Sequence, residues 1–310
     1  MGLIIILIGQ MVEKQLIDQQ DPAAQPSKVA HWGQERRLEF IDFRLQWDGR
    51  VNRADLIDFF RISVPQASLD FARYIELAPK NIEYDRSEKA YLATRDFAPV
   101  AATGEAQGYL NQLLGVSSQV LERDASFLGW MPPLGAVRFP GRKIEACILR
   151  RVLAAIRHKR MLQIEYQSMN RPDPSVRGIS PHAVGFDGFR WHVRAYCDEH
   201  HDYRDFVFAR ILNVVSDAES TVDPLQDAAW INMLDVVLAP HPQLLEGQKR
   251  AIELDYGMRD GRVSFQTREA LLFYVLRRLG LDRPAQGTAQ SQQIVLINRD
   301  ELQPFMQRAG

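Results

Sequence analysis

The stretch GFRWHVRAY, Gly188 to Tyr196, alternates in residue character along its length. As a strand it sends Phe189, Trp191, Val193 and Ala195 to one face and Arg190, His192, Arg194 and Tyr196 to the other, because successive strand side chains point to opposite sides. The first face reads as ordinary core. The second carries two guanidiniums, an imidazole and a phenol, groups that grip phosphate and stack on bases. The run RDFVFARI repeats the theme, with Arg204, Phe206, Phe208 and Arg210 on one face, while Tyr166 closes an earlier strand-like run and His182 sits in SPHAV. Two readings follow from these residues alone. Either the arginines line a pocket for a phosphate-bearing base or a single-stranded oligonucleotide, or they pair with Asp187, Asp198, Asp202 and Asp205 on a solvated sheet face.

A second group of residues suits duplex DNA. In SVPQASLDFARY, Gln66, Ser68 and Arg73 lie opposite an expected buried stripe of Leu69, Phe71, Ala72 and Ile75. Glutamine and arginine can each make two parallel hydrogen bonds to a base edge in the major groove. The bland alternative is a solvated helix surface. Arg50, Arg53, Arg61, Lys80, Arg86 and Lys89 are the candidate phosphate contacts, positioning charges that carry no sequence information. Asp70 would repel a phosphate and is placed toward the preceding helix.

Charge sharpens where such partners can sit. The chain of 310 residues has a formal net charge of −1, so binding to nucleic acid must come from local patches. Residues 31–80 hold eight basic and eight acidic residues and depend on spatial segregation. Residues 142–215 hold thirteen basic against eight acidic residues, and five of the seven histidines.

Catalytic signatures are missing: there is no GxSxG, HExxH, GxxxxGK[ST] or GxGxxG. EHHD, Glu199 to Asp202, reads as a turn with solvated charges. Neither an enzyme nor a metal site nor a cofactor is expected. Cys147 and Cys197 are the only cysteines, which argues against a disulfide framework and fits a reducing cytoplasm.

The elements that must position these residues fall into three blocks, so two or three domains are expected. The apolar run Leu3 to Ile8 is too short to span a bilayer and lacks a charged flank, so no membrane association is expected, and Met11 is the preferred start. Residues 1–32 read as a disordered lead-in. Helical spacing from Glu35 (Leu38, Ile41, Phe43, Leu45), a short helix RADLIDFF, a helix capped by Ser63 and a hairpin IEY/KAYLA give a winged helix-turn-helix over 33–97, whose third helix reads DNA. A helical linker spans 98–140. Over 141–222 one helix precedes the strands LQIEYQS, GISPHAVGF, FRWHVRAYC and DFVFARILNVVS, expected to form a small antiparallel barrel. The last block, 223–310, reads as strand RAIELDY, strand RVSFQT, helix REALLFYVLRRLGL and strand QQIVLI.

ISPHAVGFDGFRWHVRAYC followed by YRDFVFARI resembles a WYL domain, an Sm-like small β-barrel of bacterial transcription regulators. Of the name-giving triplet only Trp191 matches, with His192 and Val193 replacing Tyr and Leu, whereas the R-x-F-x-x-x-R-I pattern is intact at Arg204, Phe206, Arg210 and Ile211. SVPQASLDFARYIELAPKNIEYDRSEKAYLA and IELDYGMRDGRVSFQTREALLFYVLRRLGLD resemble the winged-helix head and WCX extension of the BrxR and CapW type of regulator. The resemblance implies an α+β chain with a winged helix-turn-helix, a WYL barrel and an α/β WCX dimerisation domain. It implies a homodimeric, autoregulatory repressor of a phage-defence operon that binds an inverted-repeat operator and is released by a nucleotide or nucleic-acid ligand. Tyr166, His182, Trp191, His192, Arg194, Tyr196, Arg204 and Arg210 would serve the ligand. An activator of the same architecture, or a single-strand-binding accessory protein, are the alternatives.

Overall fold

The computed structural model describes residues 26–137, 140–283 and 287–306, so the expectations for Leu3 to Ile8 and Met11 lie outside the described residues. The chain divides into two compact units, residues 1–139 and 140–310.

In the first unit, α1 (Pro26–Asp48) buries Leu38, Phe40, Ile41, Phe43 and Leu45 and ends at Gly49, whose φ of +71° suits a residue without a Cβ. The helix begins earlier than the expected lead-in allows. Pro26 occupies its first position, where a missing N–H costs nothing, and the following SKVAHW contains no breaker. Strand β1 (Arg50–Val51) leads into α2 (Arg53–Phe60), which Asn52 and Asp55 start with a reciprocal capping box. Ser63 caps α3 (Val64–Leu77), with Pro65 in its first turn. Strands β2 (Ile82–Asp85) and β3 (Ala90–Ala93) form the wing, in sheet order β1-β3-β2.

The face that α3 buries differs from the expected one. Ala67, Asp70, Phe71 and Tyr74 point inward, while Leu69 is 63% exposed and Ile75 39%. Polar pairing decides this. Asp70 takes a two-pronged contact from Arg37 (2.6 and 3.2 Å), and Tyr74 donates to buried Asp42. These satisfied polar groups select an inward stripe that counting apolar residues misses. After the wing, α4 (Ala106–Ser117) sets Tyr109 against Phe43 and Trp47.

In the second unit, α5 (Ala146–Arg157) packs on an antiparallel sheet of β4 (Arg160–Tyr166), β5 (Ser175–Phe186), β6 (Trp191–Cys197), β7 (Asp202–Val207) and β8 (Ile211–Glu219), in order β7-β6-β5-β4-β8. DFVFARILNVVS is two strands, split by a 3-10 turn at Phe208–Arg210. Strands β7 and β8 are the two edges and do not pair with each other among the described residues, so hydrogen bonding does not close the expected barrel. Val193 and Ala195 are core as expected. Phe189 and Trp191 are 50% and 46% exposed, because they lie at the hairpin end beyond the buried cluster.

The remainder of this unit is α6 (Ala228–Ile231), β9 (Met233–Pro240), α7 (Glu246–Tyr256), β10 (Val263–Arg268), α8 (Glu269–Arg278), β11 (Ile294–Leu296) and α9 (Arg299–Met306), with β9 central in its sheet. RAIELDY is helical, not a strand. Ile252 is buried and Tyr256 packs on the same core four residues on, while Leu254 is 75% exposed, the spacing of a helix. Gly257, in the left-handed region, ends it. No helix among the described residues is long and apolar enough to cross a membrane.

Candidate nucleic-acid interface

The outward side of α3 runs through Pro65, Leu69, Ala72 and Glu76, flanked by half-buried Ser68 and exposed Arg73. Gln66 sits at its edge, and its Nε2 donates to Asp70 Oδ1 at 3.1 Å, so the Arg37–Asp70 pair fixes one end of the amide. Arg73 meets Glu76 at 3.1 Å. That pair is exposed, so trading Glu76 for another anion costs little. Around the helix, Arg61, Lys80, Arg86 and Lys89 are exposed and take no ion-pair partner among the described residues. Arg53 donates to Tyr91 Oη at 3.2 Å, and Arg50 pairs with wing residue Glu88 at 3.0 Å. The wing turn is held by Asp85 Oδ1, which accepts from Ser87 N, Ser87 Oγ and Glu88 N. These hydrogen bonds pull the Asp85 carboxyl below its ordinary range.

Behind α3, Asp42 is fully buried. Its Oδ2 accepts three successive backbone N–H groups, from Val100, Ala101 and Ala102, each at 2.9 Å, and its Oδ1 accepts from Tyr74. Burial first, then Asp42, raises the Tyr74 phenol. Asn81 donates to Tyr74 Oη and pairs with the Ala98 backbone. The chain leaving the wing is thus fastened to α3 through one carboxylate.

The polar face of β6 is engaged by carboxylates. Arg194, 7% exposed, makes two hydrogen bonds to Asp227 (2.7 and 2.9 Å) and one to Asp205 (3.3 Å), and His182 meets Asp227 at 2.9 Å. Burial pushes the Asp227 carboxyl up, but the bonds from Arg194 and His182 outweigh it and leave it at about 2. His192, 3% exposed, meets Asp187 at 3.0 Å, beside Arg190 at 2.7 Å, and the same balance holds Asp187 at about 2. Asp205 also accepts from Tyr274 of α8 at 3.0 Å, and burial together with that charge raises the phenol. Tyr196 stands edge-on to Tyr203 at 5.3 Å. Of the two readings of this face, pairing describes Arg190, His192, Arg194 and His182. Asp187 and Asp205 are partners named from sequence. Asp227, near no motif, was missed; its signal was the N-cap position before AAWI, where its side chain accepts from Trp230 N.

Trp191 packs on Phe186 at 4.6 Å and lines, with Arg142, Phe189 and Arg190, a cavity of about 150 Å³.

The opposite face gathers basic residues at its end. Tyr166 is buried, accepts from Val207 N at 3.2 Å and lies beneath the Arg177 guanidinium at 5.7 Å. Arg177 and Arg171 share Glu199, and Arg204 shares their surroundings: burial and the charges of Arg204, Arg177 and Arg171 depress the His200 imidazole against the pull of Glu199. Arg204 forms no ion pair, and its Nε is buried without a hydrogen-bond partner among the described residues. Arg210 is half-buried beyond the end of β7, also without an ion pair among the described residues. Arg171 and Arg177 were not singled out from sequence, and His200 was read only as part of the solvated turn EHHD, because the β4–β5 and β6–β7 connections bring them together from separate segments. No cluster of three metal-ligating side chains occurs among the described residues.

Residues 33–115 match the BrxR transcriptional regulator winged helix-turn-helix domain, 148–216 the WYL domain and 233–302 the BrxR transcriptional regulator C-terminal dimerization domain. The DNA-binding transcriptional repressor CapW of Stenotrophomonas maltophilia is 46% identical over 283 residues, 90% of this chain and 94% of that protein. The proteins of the same name from Pseudomonas aeruginosa and Escherichia coli are 44% and 42% identical, over 92% and 90% of this chain and 96% and 94% of theirs. With three domains matched in order and near-complete coverage of these relatives, the chain belongs to the CapW family of DNA-binding transcriptional repressors.

Proposed function

We propose that this chain is a homodimeric transcriptional repressor that sets α3 of each subunit into successive major grooves of an inverted repeat. The observation that carries this reading is the solvent face of α3, with the exposed cations Arg61, Lys80, Arg86 and Lys89 in the segments before and after it taking no ion-pair partner among the described residues, in a chain whose relatives are named as repressors. Arg53, Gln66, Ser68 and Arg73 complete the DNA-contacting set. The C-terminal domain holds the two subunits so that half-sites are spaced by about one helical turn or a small multiple of it. The target is the promoter of its own operon, a phage-defence operon by the family resemblance.

The WYL domain senses a nucleotide or oligonucleotide that releases the operator. Arg204 with its unsatisfied Nε, beside Arg171, Arg177 and Tyr166, supports an anion at that end of the sheet. Arg194 and His182 act there as scaffold, since both are already hydrogen-bonded to Asp227. To shift the equilibrium, the ligand must bind the released dimer better than the DNA-bound one.

The test is fluorescence anisotropy of the purified protein on duplex DNA from upstream of its own gene, at two salt concentrations. Binding that survives a scrambled duplex competitor is the expected result. Preference for a single-stranded competitor would move the function into the WYL domain and overturn the operator reading.

A further inference from the structure

The centre of the solvent face of α3 is apolar. Pro65, Leu69 and Ala72 succeed one another at spacings of four and three and share, with Glu76 one turn further on, the line opposite buried Ala67, Asp70, Phe71 and Tyr74. Leu69 is 63% exposed. An exposed leucine alone is ordinary. Here, however, it stands at the middle of a helix that carries exposed Arg73 and is preceded in the chain by exposed Arg61 and followed by exposed Lys80, Arg86 and Lys89, charges that suit the phosphates bordering a groove. The polar side chains that could read bases are displaced to either side, Gln66 held by Asp70 and Arg73 beside Glu76. From Pro65 to Ala72, ahead of Glu76, this line therefore offers methyl groups and no hydrogen bond.

Among the four bases, only thymine presents an apolar group, its C5-methyl, on the major-groove floor. A leucine pressed against cytosine N4, adenine N6 or guanine O6 would strip water from a donor or acceptor and return no partner, which is costly. Attraction to thymine and the penalty against the other bases act in the same direction. We propose that Leu69, supported by Ala72, reads one thymine in each half-site by packing on its C5-methyl. The inference rests on α3 being the DNA-reading helix.

The full-length protein would first select duplexes from a random pool. Within the enriched half-site, each thymine would then be replaced by deoxyuridine, which keeps every hydrogen bond and removes only the methyl, and affinity would be read by anisotropy. The expected result is one thymine position at which replacement weakens binding about fourfold per half-site, the worth of one buried methyl-sized group. In Leu69→Ala that ratio falls to near one. An enriched site with no uracil-sensitive thymine overturns the proposal, as does a Leu69→Ala protein that keeps the wild-type ratio. So does a Leu69→Ala protein that changes oligomeric state with the ratio intact, because the face would then belong to a second copy. Failure to enrich any motif overturns the DNA-reading itself and this inference with it, so the two failures look different.

Discussion

Asp227 shows what a single carboxylate does in this protein. It is 1% exposed and binds Arg194 through both oxygens, so removing its charge strands a buried guanidinium. Asp227→Asn should destabilise the second unit by about 3 kcal/mol, read by urea unfolding. Asp187 and Asp227 sit at about 2, below the ordinary value of about 3.9. A carboxyl depressed in the folded state contributes stability that is fully present above about pH 4 and is lost as pH falls toward 2, about 2 kcal/mol for each. Unfolding free energy measured across that window should fall steeply, and Asp227→Asn should flatten the fall. In the first unit, Gln66→Ala should relax base preference at one position by about 1–3 kcal/mol, measured on base-substituted duplexes. Equal losses on specific and random DNA would make Gln66 a backbone contact. At this scale the sequence made the residue types legible but not their partners. Arg194 and Asp227 are separated by 33 residues, and no local spacing links them.

At the scale of elements, Asp42 ties α1, α3 and residues 100–102 together. Asp42→Ala leaves three backbone N–H groups and the Tyr74 hydroxyl without their acceptor, at a cost of about 3 kcal/mol or more. The amides of Val100, Ala101 and Ala102 should lose hydrogen-exchange protection in that variant, ahead of the wing. Where caps and breakers punctuate the chain, the elements were legible. Ser63 and Pro65 mark the start of α3, and the turn after Asp85 marks the wing. Two misreadings have a common cause. Leu69 and Ile75 looked buried, and Ile252 with Leu254 looked like an alternating strand, because both patterns counted apolar residues without the polar contacts and glycine cap that fix the helix face and end. The split at Phe208–Arg210 lay hidden because FVFARIL carries no glycine or proline to announce a turn.

For the whole molecule, the near-zero net charge means that operator affinity rests on a few segregated cations. Lys80→Ala, Arg86→Ala and Lys89→Ala should each weaken specific and random DNA alike. Each should lower the magnitude of the slope of log affinity against log salt by about two in the dimer, one phosphate contact per subunit. Arg204→Ala, far along the chain from α3, should leave operator binding nearly intact and block release by the anionic ligand. Loss of operator binding in that variant while folded and dimeric would dismiss the separation of sensor and reader. The three-block order was legible because composition and punctuation change at each junction. The dependence of one block on the next was not, because it resides in the Asp227 clasp and in the Tyr274 bond to Asp205. That dependence has a consequence for synthesis. A ribosome that has released residue 222 has already supplied all five strands of the central sheet, yet Asp227, which bonds both Arg194 and His182 from beyond it, is still in the exit tunnel. The nascent sheet must wait, loosely packed and wet on that face, until its own downstream neighbour emerges to seal it, and only a chain translated past that point is fit to find a second subunit.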